Sequence, residues 1–426
     1  MKKFLSIGLI LLVHAFTYAQ EAHNLEFFIE QAKTSSPKLS ENRNLEAIGE
    51  LQNKLIIAQN KAFQINSTAE VLVAPYLNNN GQFIAITTMP STNAYGYDVG
   101  ITNGGLYSTQ LNITKNLLNQ SVTNNLLFQN KVNITAISLS SEEITHNLVK
   151  NISDAYIIAY QLQLQNEFTQ QILRDLENRL KVFELLVKKG ILMESDYLLL
   201  QLDIEEKKIE LLQLKNNYVT AVNQLFSLSG IPAEEIAQLE EPILIPIRTP
   251  ESFFYKQKFK NDSLQLIAER QVFENQYKPQ LSAYANTGVN AVELSNIEHK
   301  IGASAGMRLT IPLYDGNQKK TNALQTKLKQ ENLEFYKQNS ELQLANNLMS
   351  LQQQIKALQE NRTLLGKQIS KQENVLEIYK GKLVQGQISI VDYLNVVQSY
   401  KQNIYTQVQM QTNYWLLQSE YIFINW

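Results

Sequence analysis

Two aspartates hold matching places in this chain. Asp196 lies six residues after Gly190, and Asp392 lies six residues after Gly386. Each is followed by Tyr-Leu, as Tyr197-Leu198 and Tyr393-Leu394. A carboxylate just past a glycine turn can accept backbone N–H groups at the start of a helix. Ser389-x-x-Asp392 has the spacing of a reciprocal capping box. Beyond these acids the chain is poor in reactive groups. It has no cysteine, which excludes thiolate chemistry, disulfides and an acylated N-terminal anchor. His23, His146 and His299 lie far apart, so no metal-ligand cluster forms from them. There is no phosphate loop and no H-E-x-x-H. Nothing here points to an enzyme, and no cofactor is expected.

The elements that position the aspartates are written twice. The segment VKKGILMESDYL from Val187 returns as LVQGQISIVDYL from Leu383. The offset is constant (386 − 190 = 196), and it also pairs Gln213 with Gln409, Asn217 with Asn413 and Tyr218 with Tyr414. The same offset sets NITKNLLN at Asn112 against RLTIPLYD at Arg308. A register held this long marks a duplicated structural unit. No proline lies between Pro90 and Pro232 or after Pro312, which favours long uninterrupted helices. Helices are expected over 119–189 and 315–385, each of about 70 residues or roughly 100 Å at ~1.5 Å per residue. In the second, Leu344, Leu348, Leu351, Ile355, Leu358, Leu365, Ile369, Leu376, Tyr379 and Leu383 repeat with a coiled-coil spacing that Arg362 and Gln372 interrupt. Asp315 reads as the N-cap of this helix. Basic residues and a glycine close each long helix. A second helix then runs back, over 194–228 and 390–425.

Upstream of each hairpin the period changes to two. Ile301, Ala303, Ala305, Met307, Leu309 and Ile311 share one face of a strand, with Gly302, Ser304, Gly306, Arg308 and Thr310 opposite. This has the length and alternation of a membrane-barrel strand. Weaker strands are expected over Ile65–Leu77, Tyr97–Lys115 and Leu281–Val292. The stretches Asn78–Ala94 and Ser295–Lys300 read as exposed loops, and helices over 24–63 and 250–278 precede the strand pairs. Four of the nine prolines fall in 229–250, a small packed insertion between the copies. Residues 1–19 have the basic start, short apolar run and Thr-Tyr-Ala end of a cleavable export signal. The domains are therefore 1–19 as leader, 20–228 as first repeat, 229–250 as insertion and 251–426 as second repeat. The formal net charge of −2 gives no case for nucleic-acid binding. Four amphipathic strands cannot close a membrane barrel, and an open edge in lipid leaves backbone groups unsatisfied. Several copies must then contribute strands, with the helical hairpins in water.

These residues resemble the TolC-like outer-membrane efflux protein family over essentially the whole mature chain. The signatures are the two hairpin tips, KKGILMESDYL and VQGQISIVDYLNV, and the strand-to-helix segment LTIPLYDGNQ. The resemblance implies a mainly α fold with a small β part. Internally duplicated antiparallel hairpins and four membrane strands per chain would form a trimeric α-barrel/β-barrel tube. It implies a passive exit duct in the outer membrane, serving a tripartite efflux pump or type I secretion system. The implied partners are two further copies, a periplasmic adaptor, an inner-membrane transporter and outer-membrane lipid. In the family, V-D-x-L-D carboxylates ring the tunnel's narrowest point. Asp392 matches the first of these acids, and Asn395 replaces the second. Both aspartates equally fit a purely capping role. Ser195-Asp196 matches the family's Thr-Asp, whose Tyr and Arg partners fall on Leu383 and Ile388 here, so that tip lock is absent or replaced. Lys189, Gly190, Ile191, Gln385, Gly386 and Gln387 match the adaptor-docking tips, although any tight helical turn wants glycine. The three histidines read as solvated or lumen-facing, Tyr414 and Trp415 as packing residues. The rival is an exported coiled-coil spacer or adhesin without a channel.

Overall fold

The computed structural model describes residues 24–87, 89–97, 105–190, 192–233, 238–244, 253–292 and 294–426. The leader at 1–19, His23, Ile191 and parts of 229–250 lie outside these. Seven helices and six strands follow in order: α1 (Leu25–Ser35), α2 (Pro37–Lys61), β1 (Gln64–Val73), β2 (Tyr76–Asn79), β3 (Gln82–Ala85), β4 (Gly105–Asn116), α3 (Gln120–Lys188), α4 (Glu194–Ser229), α5 (Phe253–Glu274), β5 (Gln280–Ala291), β6 (Ile301–Thr310), α6 (Gln318–Val384) and α7 (Ile390–Ile424). The fold is mainly α with a small antiparallel β part. Among the described residues no helix is long and apolar enough to cross a membrane.

Most expected elements stand within a few residues of their predicted ends. Three differ. The helix expected over 24–63 is two helices, because Pro37 follows Ser36 in an extended conformation and α1 ends there. The strand expected over Ile65–Leu77 ends at Val73, and a β2–β3 hairpin starts at Tyr76 and runs into the expected loop Asn78–Ala94. Its turn uses Asn80 and Gly81, both at positive φ. The strand expected from Tyr97 is described only from Gly105. Asp315 lies three residues before α6, where its carboxylate accepts from the Asn317 and Lys319 N–H groups at 2.9 and 3.0 Å.

The chain forms two compact units. One, with 40–142 and 252–342, holds both sheets. Its larger sheet has the order β1-β4-β5-β6, antiparallel throughout. Directly paired residues share a face. Asn66, Asn112, Asn286 and Ser304 therefore make one polar row across all four strands, while Ile65, Ile113, Ala285 and Ala305 make an apolar row on the other face. Asn112 donates to Thr68 at 3.0 Å and Ser304 to Asn286 at 2.7 Å, so the polar side is internally bonded. The strands β4 and β5 approach closely at Gly288, where a Cβ would lie 2.1 Å from the Thr109 carbonyl oxygen. Each outer strand, β1 and β6, has one partner strand among the described residues. The helical segments follow the same lateral order. Asn130 of α3 donates to the Gly49 carbonyl and Asn53 of α2 at 2.7 and 2.8 Å. Asn125 of α3 reaches the Gln271 carbonyl of α5 at 3.0 Å and Asn275 just beyond it at 2.8 Å. The helices α5 and α6 line a shared groove between Leu266 and Leu333.

The other unit, with residues up to 39, 143–251 and 343–426, is helical. Its helices neighbour one another as α4–α3, α3–α7 and α7–α6, and α4 also meets α7 directly through Glu210 and Lys401. Tyr218 of α4 bonds Gln163 of α3 at 3.2 Å. Trp415 of α7 packs edge-on against Tyr160 of α3. Gln359 of α6 donates to Tyr414 of α7 at 2.8 Å. The expected coiled-coil seam of α6 is the covered stripe of that helix. Its two polar interruptions are also on the stripe. Arg362 bonds Gln411 and lies over the Tyr414 ring, and Gln372 exchanges hydrogen bonds with Ser399 and Asn403. One hydrophobic core gathers Phe28 of α1, Ile152 and Tyr156 of α3, and Leu225 and Phe226 of α4. Leu239 of the insertion packs into it, with Gln163 and Tyr156 bonded to the insertion backbone.

Candidate functional site

The hairpin tips carry most of the residues singled out by sequence, and all lie in the helical unit. Gly190 and Gly386 both adopt φ of 68°. This left-handed exit is nearly free for glycine and costs other residues about 1 kcal/mol or more. A Cβ at either position would meet nothing within 4 Å, so the turn conformation and not crowding requires glycine. After α6 the Gln387 N–H returns to the Lys382 carbonyl at 2.9 Å and the Gly386 N–H bonds the Leu383 carbonyl at 3.0 Å. Lys189, Gln385 and Gly386 are exposed, as is Gln387.

Asp392 begins α7 as the spacing predicts. Its carboxylate accepts from the Ser389 hydroxyl at 2.7 Å and the Ser389 N–H at 3.4 Å, while its own N–H bonds the Ser389 oxygen at 3.1 Å. Asp196 does the same job more weakly, accepting from the Met193 N–H at 3.4 Å. Asp392 and Asn395 are exposed, whereas Asp196 is half-buried. Leu383 and Ile388, which stand where the resemblance places a locking Tyr and Arg, belong to the tip core. That core joins Leu176 and Phe183 of α3, Leu200 and Ile204 of α4, Leu383, and Ile390, Tyr393 and Val397 of α7. The Arg179 guanidinium sits 4.6 Å from the Tyr393 ring centre, held by Asp175 at 2.7 Å. Burial pushes the Tyr393 phenol upward, so it stays neutral.

Beyond the tips lies a charged cluster that the sequence reading missed. Lys207 of α4 is 1% exposed, within reach of Glu206 at 3.1 Å, Asp203 at 3.6 Å and Glu210 at 3.8 Å. Lys401 of α7, 7% exposed, bonds the same Glu210. Tyr405 donates to Glu210 at 2.8 Å and also meets Thr169 of α3. Burial opposes the charge on both lysines. For Lys401 burial wins and its pKa is lowered; for Lys207 the three carboxylates win and raise it. Burial also raises Asp203. The signal was present in the sequence, since Lys207 follows Leu200 and Ile204 at seam spacing.

His146, expected to be solvated or lumen-facing, is half-buried. It is stacked against the Phe423 and Trp426 rings at 4.7 and 3.9 Å, and its Nε2 lies 2.6 Å from the Phe423 carbonyl oxygen. Burial lowers its pKa. Trp415 and Tyr414 are packing residues, as expected. Among the described residues no group of acidic or histidine side chains could hold a metal ion.

No family model matches the sequence, and no curated protein matches it. Solved structures do. The outer membrane protein VceC of Vibrio cholerae superposes with a TM-score of 0.70 at 15% identity, over 94% of this chain and 95% of that one. The fold is TolC-like. The Campylobacter jejuni outer membrane channel CmeC matches it with a TM-score of 0.68 at 13% identity, over 95% and 86% of the two chains. The open state of the Neisseria gonorrhoeae outer membrane channel MtrE gives 0.67 at 14%, over 94% and 88%. The TolC-like fold accounts for the paired hairpins and the four-stranded sheet together.

Proposed function

We propose that this chain is one subunit of a homotrimeric exit duct in the outer membrane, serving a tripartite efflux pump or type I secretion system. The observation that carries this is the sheet β1-β4-β5-β6. It has a polar row on one face, an apolar row on the other, and two outer strands that each have one partner strand among the described residues. Such a sheet in lipid must close on itself. Pairing β6 of one copy with β1 of the next removes both edges, and three copies make a barrel of twelve strands. Helices support the same ring. In the helical unit the flanking helices α4 and α6 each present a second apolar stripe: Leu198, Leu202, Ile209, Leu212 and Val219 on α4, and Met349, Leu364, Val375 and Ile378 on α6. In the sheet-bearing unit, α2 offers Ile48, Leu51 and Leu55, and α6 offers Leu324, Leu328 and Phe335. First and last helices of a layer are the ones a neighbouring copy would cover in a heterologous closed ring.

In this reading the leader 1–19 is removed on export, and the repeats 20–228 and 251–426 flank the insertion 229–250. The helical hairpins stand in the periplasm. Asp392 and Asn395, with Ser195 and Asp196, line the narrow periplasmic end. Lys189, Gly190, Ile191, Gln385, Gly386 and Gln387 meet a periplasmic adaptor, which links the duct to an inner-membrane transporter. Conduction is passive, through a watery lumen, and the protein is not an enzyme. A coiled-coil spacer or adhesin would have no use for a two-faced sheet. The test is conductance of the purified protein in planar lipid bilayers, with discrete channel steps expected. Absence of steps from wild type under every voltage and salt tried would sink the reading.

A further inference from the structure

The covered seams of the two return helices each carry a lysine. In α4 the stripe runs Leu200, Ile204, Lys207 and Leu211; in α7 it runs Tyr393, Val397 and Lys401. A charge at a seam position costs stability, and its best-attested use is to specify how helices seat against one another. Lys207 has Asp203 and Glu206 on its own helix, but Lys401 is held across the interface by Glu210 alone among the carboxylates bonded here. Glu210 is thus shared by two ammonium groups, one from each hairpin, with Tyr405 occupying its other oxygen.

The duplication sharpens this. At the 196-residue offset, Asp203, Glu206, Lys207 and Glu210 correspond to Ser399, Gln402, Asn403 and Thr406, all neutral. The cluster is therefore not part of the repeated scaffold. It is a feature that only the α4–α7 contact carries. The apolar residues around it include Leu200, Ile204, Leu211 and Val397 beside the Phe168 ring, and such contacts are less directional than an ion pair.

We propose that Glu210 is a seating key. By bonding Lys401, it selects the one arrangement of α7 against the α3–α4 hairpin, which the apolar seam alone leaves degenerate. In a displaced seating Lys401 would lose the carboxylate that holds it while staying buried near the Lys207 ammonium. The inference is independent of channel activity.

Specificity and stability separate in the test. The chain has no cysteine, so spin labels can be placed at Glu205→Cys in α4 and Gln398→Cys in α7, both exposed. Full-length labelled chain, co-expressed with an excess of the cysteine-free chain so that a trimer holds one labelled copy, should give one narrow distance in detergent. Glu210→Met with Lys401→Met removes the key and leaves Lys207 its own-helix partners. This variant should melt no lower than wild type yet show a second or broadened distance. Lys401→Gln, which can still donate to Glu210, should keep the single distance. One unchanged narrow distance in the double-methionine variant overturns the proposal. So does broadening that appears equally in Lys401→Gln, because loss of charge alone would then explain it. Conductance enters neither outcome, so a failed key and a failed channel are told apart.

Discussion

At the residue scale the informative side chains are few, and each does its local work through geometry already in the chain. Asp392 closes a reciprocal cap with Ser389 and still leaves its carboxylate exposed. A cap and a field source are compatible in one group. If three copies bring Asp392 together around an axis, like charges at close range build a local potential that favours cations. Asp392→Asn is then expected to lower cation preference and weaken block by multivalent cations, with a stability loss of about 0.5–1 kcal/mol from the reduced helix-dipole interaction. Asp196→Asn is expected to change selectivity less, because Asp196 is half-buried and no cationic partner stands at Leu383 or Ile388. Ion-selectivity measurements on both variants decide it. Unchanged selectivity in Asp392→Asn would leave that residue as a cap and nothing more.

At the scale of elements, α7 is held to α3 at both ends by different chemistry. Near the tip it uses the apolar core and Arg179 over Tyr393. At its far end it uses His146 between Phe423 and Trp426. The sign of the pH effect follows from burial. Folding depresses the His146 pKa, so the unfolded chain binds the proton more readily. Its contribution is complete above the unfolded value of about 6.5 and is lost as pH falls through the lower folded value. Urea midpoints followed by tryptophan fluorescence should fall between pH 7.5 and 5, and the fall should be smaller in His146→Phe. Equal slopes in both proteins would remove His146 as the cause. These ties also mark how far sequence reasoning reached. Hairpins, the glycine exits, the Ser389–Asp392 box and the α6 seam follow from short-range rules, and spacing exposes them. The β2–β3 hairpin was hidden because Asn-Asn-Asn-Gly reads as a loop, although Asn80-Gly81 is a hairpin turn. The His146 stack and the Glu210–Lys401 pair join residues far apart in sequence, 277 positions in the first case and 191 in the second, and no local period reports them.

At the scale of the whole molecule, the single chain is an unfinished surface. Ile209 and Leu212 of α4 are 60% and 62% exposed, and Leu364 of α6 is 64% exposed, although each continues a helical stripe. Scattered apolar residues on a surface need no explanation, but stripes confined to the first and last helices of a layer do. Burying one such side chain contributes about 1.5–3 kcal/mol, so five on α4 against a neighbour would far exceed the cost of ordering them. A lysine at Ile209 or Leu212 would instead be forced against the next copy. Within one chain these positions face away from the cores around Phe28 and Leu176, so the fold should survive the change. If the chain closes into the proposed trimer, Ile209→Lys with Leu212→Lys is expected to keep the helical content and melting cooperativity of the chain while shifting it from trimer to monomer in detergent. Multi-angle light scattering with circular dichroism reads both quantities on the same sample. A double-lysine variant that stays trimeric would place the neighbouring copy elsewhere. The helical unit would then have to close through some face other than α4 and α6.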